Sequence, residues 1–166
     1  MRTRDRDAEF KDFYISEAAR LRRLAIMLTG DTERGADLAQ DALLKTYLAW
    51  PRIRNDDPAP YAKRILVNLC RSSYRRRMLE LRKMPHPPHD VADQGQRVDE
   101  ALRVATALSV LTPIRRAVVL LRFYEDMTEA QIARTLDRPL NTIKSDLRRA
   151  MERLRPMLDD NVRESR

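Results

Sequence analysis

TEAQIARTLDRPLNTIKSDLRRA, residues 128–150, is the stretch that decides the fold. Thr128 followed three residues later by Gln131 is a capping box, in which each side chain satisfies a backbone N–H near the start of a helix. Ile132, Ala133 and Leu136 sit at helical spacing, so a short helix runs through Leu136. Asp137 makes the turn, because a short acid tolerates left-handed backbone. Pro139 suits the first turn of a final helix whose Ile143, Leu147, Ala150, Met151 and Leu154 face inward. A short helix, a tight turn and a longer helix form a helix-turn-helix pattern, whose second helix lies in the DNA major groove. The small Ala133 lets the two helices approach. Asn141, Thr142, Lys144, Ser145, Arg148 and Arg149 point outward. Lys and Arg can neutralise phosphates or contact guanine, and Asn can bond adenine. On pattern alone, a plain helical hairpin with solvated basic residues is an equal reading.

Upstream, Thr112 and Pro113 form an N-cap and first-turn pair, starting a helix that carries Val118, Leu121 and Phe123 before Glu125 and Asp126. Leu102, Ala105 and Leu108 mark a helix ending near Leu111, in a domain that begins near Arg97. Residues 84–95, MPHPPHDVADQG, place three of the chain's nine prolines within four residues. Such a segment is extended and reads as a linker. His86 and His89 lie inside it, and two histidines without further ligands read as linker rather than metal site. Nearer the N-terminus, Phe10, Phe13, Tyr14, Leu21, Leu24, Ala25 and Leu28 define a helix over 7–29 that Gly30 ends. Asp31 or Thr32 caps a second helix, with Leu38, Ala42, Leu43, Leu44, Tyr47 and Leu48 as its apolar positions, and Pro51 stops it after Trp50. A proline-bounded loop over 51–60 leads to a third helix over 60–83, with Ile65, Leu66, Leu69 and Cys70 inward. The predicted organisation is a domain over 7–83, a linker over 84–96 and a domain over 97–160.

Composition narrows the function. The 166 residues carry a net charge of +8. Residues 1–50 are neutral, 51–84 carry +7, 85–112 carry −2 and 113–166 carry +3. Basic charge gathered in separate places is the footprint of a nucleic-acid binder, although charge runs in general are more often solvated faces. Three glycines, no two closer than five residues, exclude the glycine-rich phosphate loops of common nucleotide-binding enzymes. One cysteine excludes an intramolecular disulfide framework and a multi-cysteine zinc site, and fits a reducing cytoplasm. No apolar run approaches the about 20 residues that span a bilayer, and no apolar segment follows the charged N-terminus as in a signal peptide. There is no Ser/His/Asp set, no metal cluster and no deaminase signature, so no catalytic residue, metal or cofactor is expected.

The residues then reach a known family. LTPIRRAVVLLRFYEDMTEAQIARTLDRPLNTIKSDLRRAMERLRPML (111–158) resembles domain 4 of the extracytoplasmic-function sigma factors of bacterial RNA polymerase, through Thr142-Ile-Lys144-Ser145 and Leu147-Arg-Arg149-Ala150. LTGDTERGADLAQDALLKTYLAW (28–50) resembles the polymerase-docking part of sigma region 2, with Asp37-Leu38-Ala39-Gln40-Asp41 at its centre. PYAKRILVNLCRSSYRRR (60–77) resembles the following promoter-melting part, through Arg64-Ile65 and Asn68. Together the resemblance covers roughly 10–77 and 99–157.

The resemblance implies an all-α protein of two small helical domains, sigma domain 2 and a helix-turn-helix sigma domain 4, joined by the proline-rich linker. It implies an alternative sigma factor, cytoplasmic and without membrane insertion, that steers core RNA polymerase to promoters. Asp37, Gln40, Asp41 and Leu44 would bind the clamp helices of the largest subunit, and the second subunit's flap would be a further partner. From the sequence alone, that acidic turn is equally a solvated helix start. Tyr61, Lys63, Arg64, Asn68, Arg71, Arg75 and Arg76 would hold the melted −10 strand, with Arg77 extending the track and the loop 52–58 pocketing a flipped base. Arg138, Asn141, Thr142, Lys144, Ser145, Arg148 and Arg149 would read the −35 duplex. An anti-sigma factor would hold the protein inactive. The chain departs from the family pattern at Tyr61, Ser72 and Asn141, and at Asp146, where Arg is frequent. An acid there is expected to face phosphates at a cost in affinity unless it accepts from a cytosine amino group. The rival reading is a freestanding helix-turn-helix regulator whose N-terminal helices dimerise or sense a ligand.

Overall fold

The computed structural model describes residues 3–84 and 96–164. Among them are seven α-helices, one 3₁₀ turn and no strand. The helices are α1 (Thr3–Thr29), α2 (Thr32–Ile53), α3 (Pro58–Leu81), α4 (Gln96–Ala107), α5 (Pro113–Phe123), α6 (Glu129–Leu136) and α7 (Leu140–Glu164), with the 3₁₀ turn at Leu108–Val110. The chain divides into two units, Met1–Leu102 and Arg103–Arg166, so α4 runs across the division. The predicted linker falls almost wholly outside the described residues, as do His86 and His89.

In the first unit α1, α2 and α3 pack on one another. Leu21, Leu24, Ile26, Ala42, Leu66 and Val67 are buried at the centre. The turn between α1 and α2 is written into two residues, Gly30 and Asp31. Gly30 takes a left-handed φ of 70°, a conformation glycine adopts without steric cost. Its N–H donates to the Ile26 carbonyl at 2.8 Å. Asp31 then caps α2, its carboxylate accepting from the Arg34 N–H at 2.9 Å. Gly35 serves a different purpose. A Cβ there would lie 2.8 Å from the Ile26 nitrogen, so glycine is what lets α2 approach the α1 backbone.

The first turns of α1 are tied to the end of α2 by aromatic and polar contacts. The Phe10 ring lies 5.0 Å from Tyr47 and 5.2 Å from Trp50, edge-on to both. Trp50 Nε1 donates to Glu9 at 3.2 Å, and the Tyr47 hydroxyl donates to Asp7 at 2.7 Å. Burial pushes the Cys70 thiol up to about 12, which fits an inert packing residue on α3.

In the second unit α5, α6 and α7 enclose Ala117, Val118, Leu121, Ile132, Ile143 and Ala150. Thr128 and Gln131 form the capping box at both bonds, 3.2 Å and 2.7 Å. Asp137 ends α6 in the left-handed region with φ 52° and ψ 54°. The Arg138 N–H returns to Ala133 at 2.9 Å and the Asp137 N–H to Arg134 at 3.3 Å. That pair of bonds is a Schellman motif, and it makes the turn tight.

Several boundaries and orientations differ from the expectation. Pro51 does not stop α2, which continues to Ile53. Its fixed φ fits a helix, and the lost N–H affects only one carbonyl at an exposed end. The loop shrinks to residues 54–57, with Asp57 capping α3. Pro139 precedes α7 instead of lying in its first turn, its carbonyl accepting from Thr142 and Ile143. The helix expected to end near Leu111 ends at Ala107 and is followed by the 3₁₀ turn. Tyr14, Leu48, Phe123 and Met151 have helical spacing but are exposed.

Candidate docking and nucleic-acid interfaces

Helix geometry at 100° per residue sorts the predicted residues onto faces. On α2 the buried side holds Ala39, Ala42, Leu43, Thr46 and Trp50. Asp37, Gln40, Asp41 and Leu44 are all exposed on the opposite side, and Leu48 extends their stripe. Leu44 is 57% and Leu48 67% exposed, which is unusual for leucines beside a well-filled core. Beside the stripe runs an open groove of about 460 Å³ between α1 and α2, lined by Phe10, Tyr14, Leu43, Leu44, Tyr47 and Gln40 among others. An acidic turn thus borders an apolar trough. Sequence reasoning gave Leu48 to the core, because periodicity cannot tell a second apolar face from a wide first one.

On α3 the buried side holds Ala62, Leu66, Val67 and Cys70. Arg64, Asn68 and Arg75 lie on the opposite side and are exposed, with exposed Arg76 and half-buried Tyr61 and Arg71 flanking them. Lys63 falls on the packed side of the helix and is half-buried, apart from that stripe. Arg77 turns back toward the α1–α2 turn, where its guanidinium lies 3.9 Å from Asp31. The loop 54–57 that precedes α3 is held at its start by Arg54, which donates to Glu9 at 2.8 Å. The Arg54 hydrogen bond, aided by the Trp50 N–H, holds the Glu9 carboxyl below its usual 4.5.

On α7 the core side holds Ile143, Ala150 and Leu154. Asn141, Ser145 and Arg148 form the outward stripe, with Lys144 on one flank and Thr142 and Arg149 on the other. Arg148 pairs with Glu152 at 2.9 Å, both side chains more than half exposed. Such a pair contributes little and is easily exchanged. Arg138 lies at the turn, 3.6 Å from Asp146.

Asp146 itself overturns an expectation. Its side chain is only 12% exposed, and it lies 3.4 Å from Arg115 as well as 3.6 Å from Arg138. The acid expected to face phosphates instead faces two arginines of its own unit. The sequence held no signal of this, since Arg115 lies 31 residues away.

No group of three or more metal-ligating side chains occurs among the described residues, and no helix there is long and apolar enough to cross a membrane.

Comparison with known proteins follows the same division. Residues 13–79 match the family Sigma-70 region 2, and residues 101–154 match Sigma-70, region 4. The chain is 36% identical over 154 residues to the RNA polymerase sigma-E factor of Streptomyces coelicolor, covering 90% of this chain and 86% of that protein. It is 29% identical over 163 residues to the ECF RNA polymerase sigma factor SigL of Mycobacterium tuberculosis, covering 92% of this chain and 90% of that one. Among solved structures it resembles the sigma factor RpoE of Bartonella quintana in complex with the anti-sigma factor NepR. That likeness has a TM-score of 0.72 and 25% identity over 90% of this chain and 96% of that one.

Proposed function

Because the chain belongs to the extracytoplasmic-function sigma factors of the sigma-70 family, proteins that bind RNA polymerase and direct promoter-specific initiation, we propose how its surfaces divide that work. Asp37, Gln40, Asp41, Leu44 and Leu48 dock on the clamp helices of the largest polymerase subunit. The support is chemical. An acidic turn beside exposed leucines and an apolar groove suits a basic helical partner that also buries apolar surface.

The α3 stripe captures the −10 element as melted strand. Opening a duplex by binding alone requires a site that prefers unstacked bases. Such a site combines a cationic track for the backbone with stacking or hydrogen-bonding groups for bases. Arg64, Arg71, Arg75 and Arg76 supply the track, and Tyr61 and Asn68 contact bases, while Lys63 on the packed side stands apart from it. The loop 54–57, steadied by Glu9 and Arg54, borders the flipped-base pocket. The chain itself performs no chemistry here; the free energy of strand capture biases melting, and polymerase makes the transcript.

The outward face of α7 reads the −35 element as duplex. Asn141 and Ser145 near the helix start approach base edges, while Thr142, Lys144, Arg148 and Arg149 serve phosphates and guanine. Arg138 stands beside this face, drawn to Asp146 at 3.6 Å. The polymerase flap and an anti-sigma factor complete the partners. The second has support from RpoE, whose structure is a complex with NepR.

One observation carries the reading: a single chain holds a capped helix-turn-helix and, in a separate unit, an exposed basic stripe on one helix and an exposed acidic stripe on another. In vitro transcription with purified core polymerase on genomic fragments tests it. Promoter-specific initiation dependent on this chain is the expected result. Repression by the added chain would favour a freestanding regulator instead.

A further inference from the structure

We propose that Asp146 sets the specificity of duplex binding by standing in for a DNA phosphate, keeping Arg115 and Arg138 from pairing with the backbone of DNA that lacks the right −35 sequence. The inference rests on the reading of α7 as the −35 helix. Three elements meet at this carboxylate. Asp146 projects from the second turn of α7, Arg115 from the first turn of α5, and Arg138 from the turn that precedes α7. The Asp146 oxygens lie 3.4 Å from Arg115 Nε and 3.6 Å from Arg138 Nη1. The carboxylate is nearly buried, while the two guanidinium groups are about 30% exposed. The acid is therefore shielded and the cations are presented.

One carboxylate facing two guanidinium groups leaves a surplus positive charge at the edge of the reading face, but it restrains both arginines. Arginine is the side chain best suited to bidentate phosphate binding. Two unrestrained arginines beside a recognition helix would strengthen binding to every sequence alike, since phosphate contacts carry no sequence information. The geometry also distinguishes Asp146 from Glu152. The Arg148–Glu152 pair is exposed on both sides and gives way to a phosphate at little cost. Asp146 is only 12% exposed, against 57% for Glu152, so water screens its charge far less. The pair atoms reinforce this: Asp146 Oδ2 is buried and has no hydrogen bond, so its interaction with Arg138 is a charge contact at 3.6 Å. Such a contact fixes where the charge is drawn without consuming the guanidinium donors.

The test uses holoenzyme assembled from the full chain and core RNA polymerase, bound to a promoter duplex and to the same duplex with a scrambled −35 element, over a salt series. Asp146→Asn is expected to tighten binding to the scrambled duplex several-fold. Its log-affinity against log-salt slope should steepen by about 0.9 for each arginine released. The ratio of promoter to scrambled affinity should fall. Arg138→Ala, at a partly exposed turn, leaves the core intact and checks the same claim from the other side. It should leave the wild-type slope unchanged and cancel about half of the steepening in the Asp146→Asn background. An Asp146→Asn slope that is unchanged or shallower, with discrimination intact, would overturn the proposal. So would a slope about one unit shallower for Arg138→Ala alone, because that arginine would then already be on a phosphate. A wild-type holoenzyme indifferent to the −35 sequence would overturn the −35 reading and this proposal with it, which sets that failure apart from the other two.

Discussion

α3 and α7 are almost equal in length, 24 and 25 residues, and each carries six basic residues. They differ in their acids. α3 has one, Glu80, whereas α7 has five. The acids that α7 adds include Asp146 and Glu152, both placed within reach of arginines. The contrast fits the two forms of DNA assigned to them. A helix that holds an unstacked strand of variable shape gains from a predominantly cationic face, because attraction to backbone is most of its task. A helix that must reject wrong duplexes loses by the same charge, because uniform attraction raises the background against which recognition is measured. On the roles proposed for them, the same count of cations serves capture in one unit and discrimination in the other.

The comparison presumes that the two units stand independently, and the largest expected effect tests that. Gly35→Val places side-chain atoms where even a Cβ meets the Ile26 backbone at 2.8 Å. Forced overpacking of this kind costs about 1–3 kcal/mol, and valine recovers little through helix propensity. The chain's one tryptophan, Trp50, lies in the first unit, so its fluorescence follows that unit alone. Its transition should fall by about 4–8 °C per kcal/mol lost, while helix signal from the second unit persists to the wild-type temperature. A common shift of both transitions would show that the units fold as one.

Next in size is the track itself. Arg75→Ala with Arg76→Ala should reduce promoter opening about tenfold and flatten the salt dependence of holoenzyme binding by about 0.7 per lost contact to single strand. Permanganate footprinting that still shows full melting would remove α3 from the melting role. Removing two arginines from α3 should therefore weaken opening, whereas releasing Arg115 and Arg138 from Asp146 should weaken discrimination.

What was legible in the sequence was whatever is fixed within one helical turn. The capping box at Thr128 and Gln131, the left-handed Asp137, the Thr112–Pro113 start and the Gly30 stop all depend on neighbours within about five residues, and the structure has each of them. What was not legible depends on a distant partner. Gly35 reads as a weak spot in a helix until the α1 backbone is seen 2.8 Å from its missing Cβ. Leu48 reads as core until Ala42, Leu43 and Thr46 are seen to fill it. Asp146 read as a residue facing DNA until Arg115 closed on it from α5. The outward residues of α3 and α7 were legible as a set, because helical phase alone separates them from the core. Lys63 was not separated from the set, because a run of basic residues hides the phase of any one member.

A smaller effect belongs to α2, whose exposed acids Asp37 and Asp41 are proposed to serve a protein partner. Asp41→Lys should weaken binding to core polymerase several-fold, mostly through a slower association that depends on salt. With core in excess, promoter opening should then approach wild type, since Asp41 is exposed on α2 and apart from the α3 stripe. Unchanged affinity in a pull-down would remove Asp41 from the docking face.

The smallest effect separates an exposed ion pair from the shielded one. Glu9 accepts from Arg54 at 2.8 Å and from Trp50 at 3.2 Å, and both bonds favour its ionised form. Its carboxyl accordingly lies below the usual 4.5 in the folded chain. A carboxyl whose folded value is depressed binds more protons in the unfolded state near that value, so stability rises with pH through this window. Its contribution is full above the usual value of 4.5 and is lost as pH falls through the lower folded value. Glu9→Gln keeps an acceptor for the Trp50 N–H but has no charge to titrate. The first unit of the wild type should therefore melt slightly above that of Glu9→Gln at neutral pH, and the two should converge in acid, with Trp50 fluorescence as the readout. Parallel profiles across the acid range would show that the Glu9–Arg54 pair does not steady the 54–57 loop. Arg54 would then add its charge to the cations of α3, which would sharpen the contrast with α7.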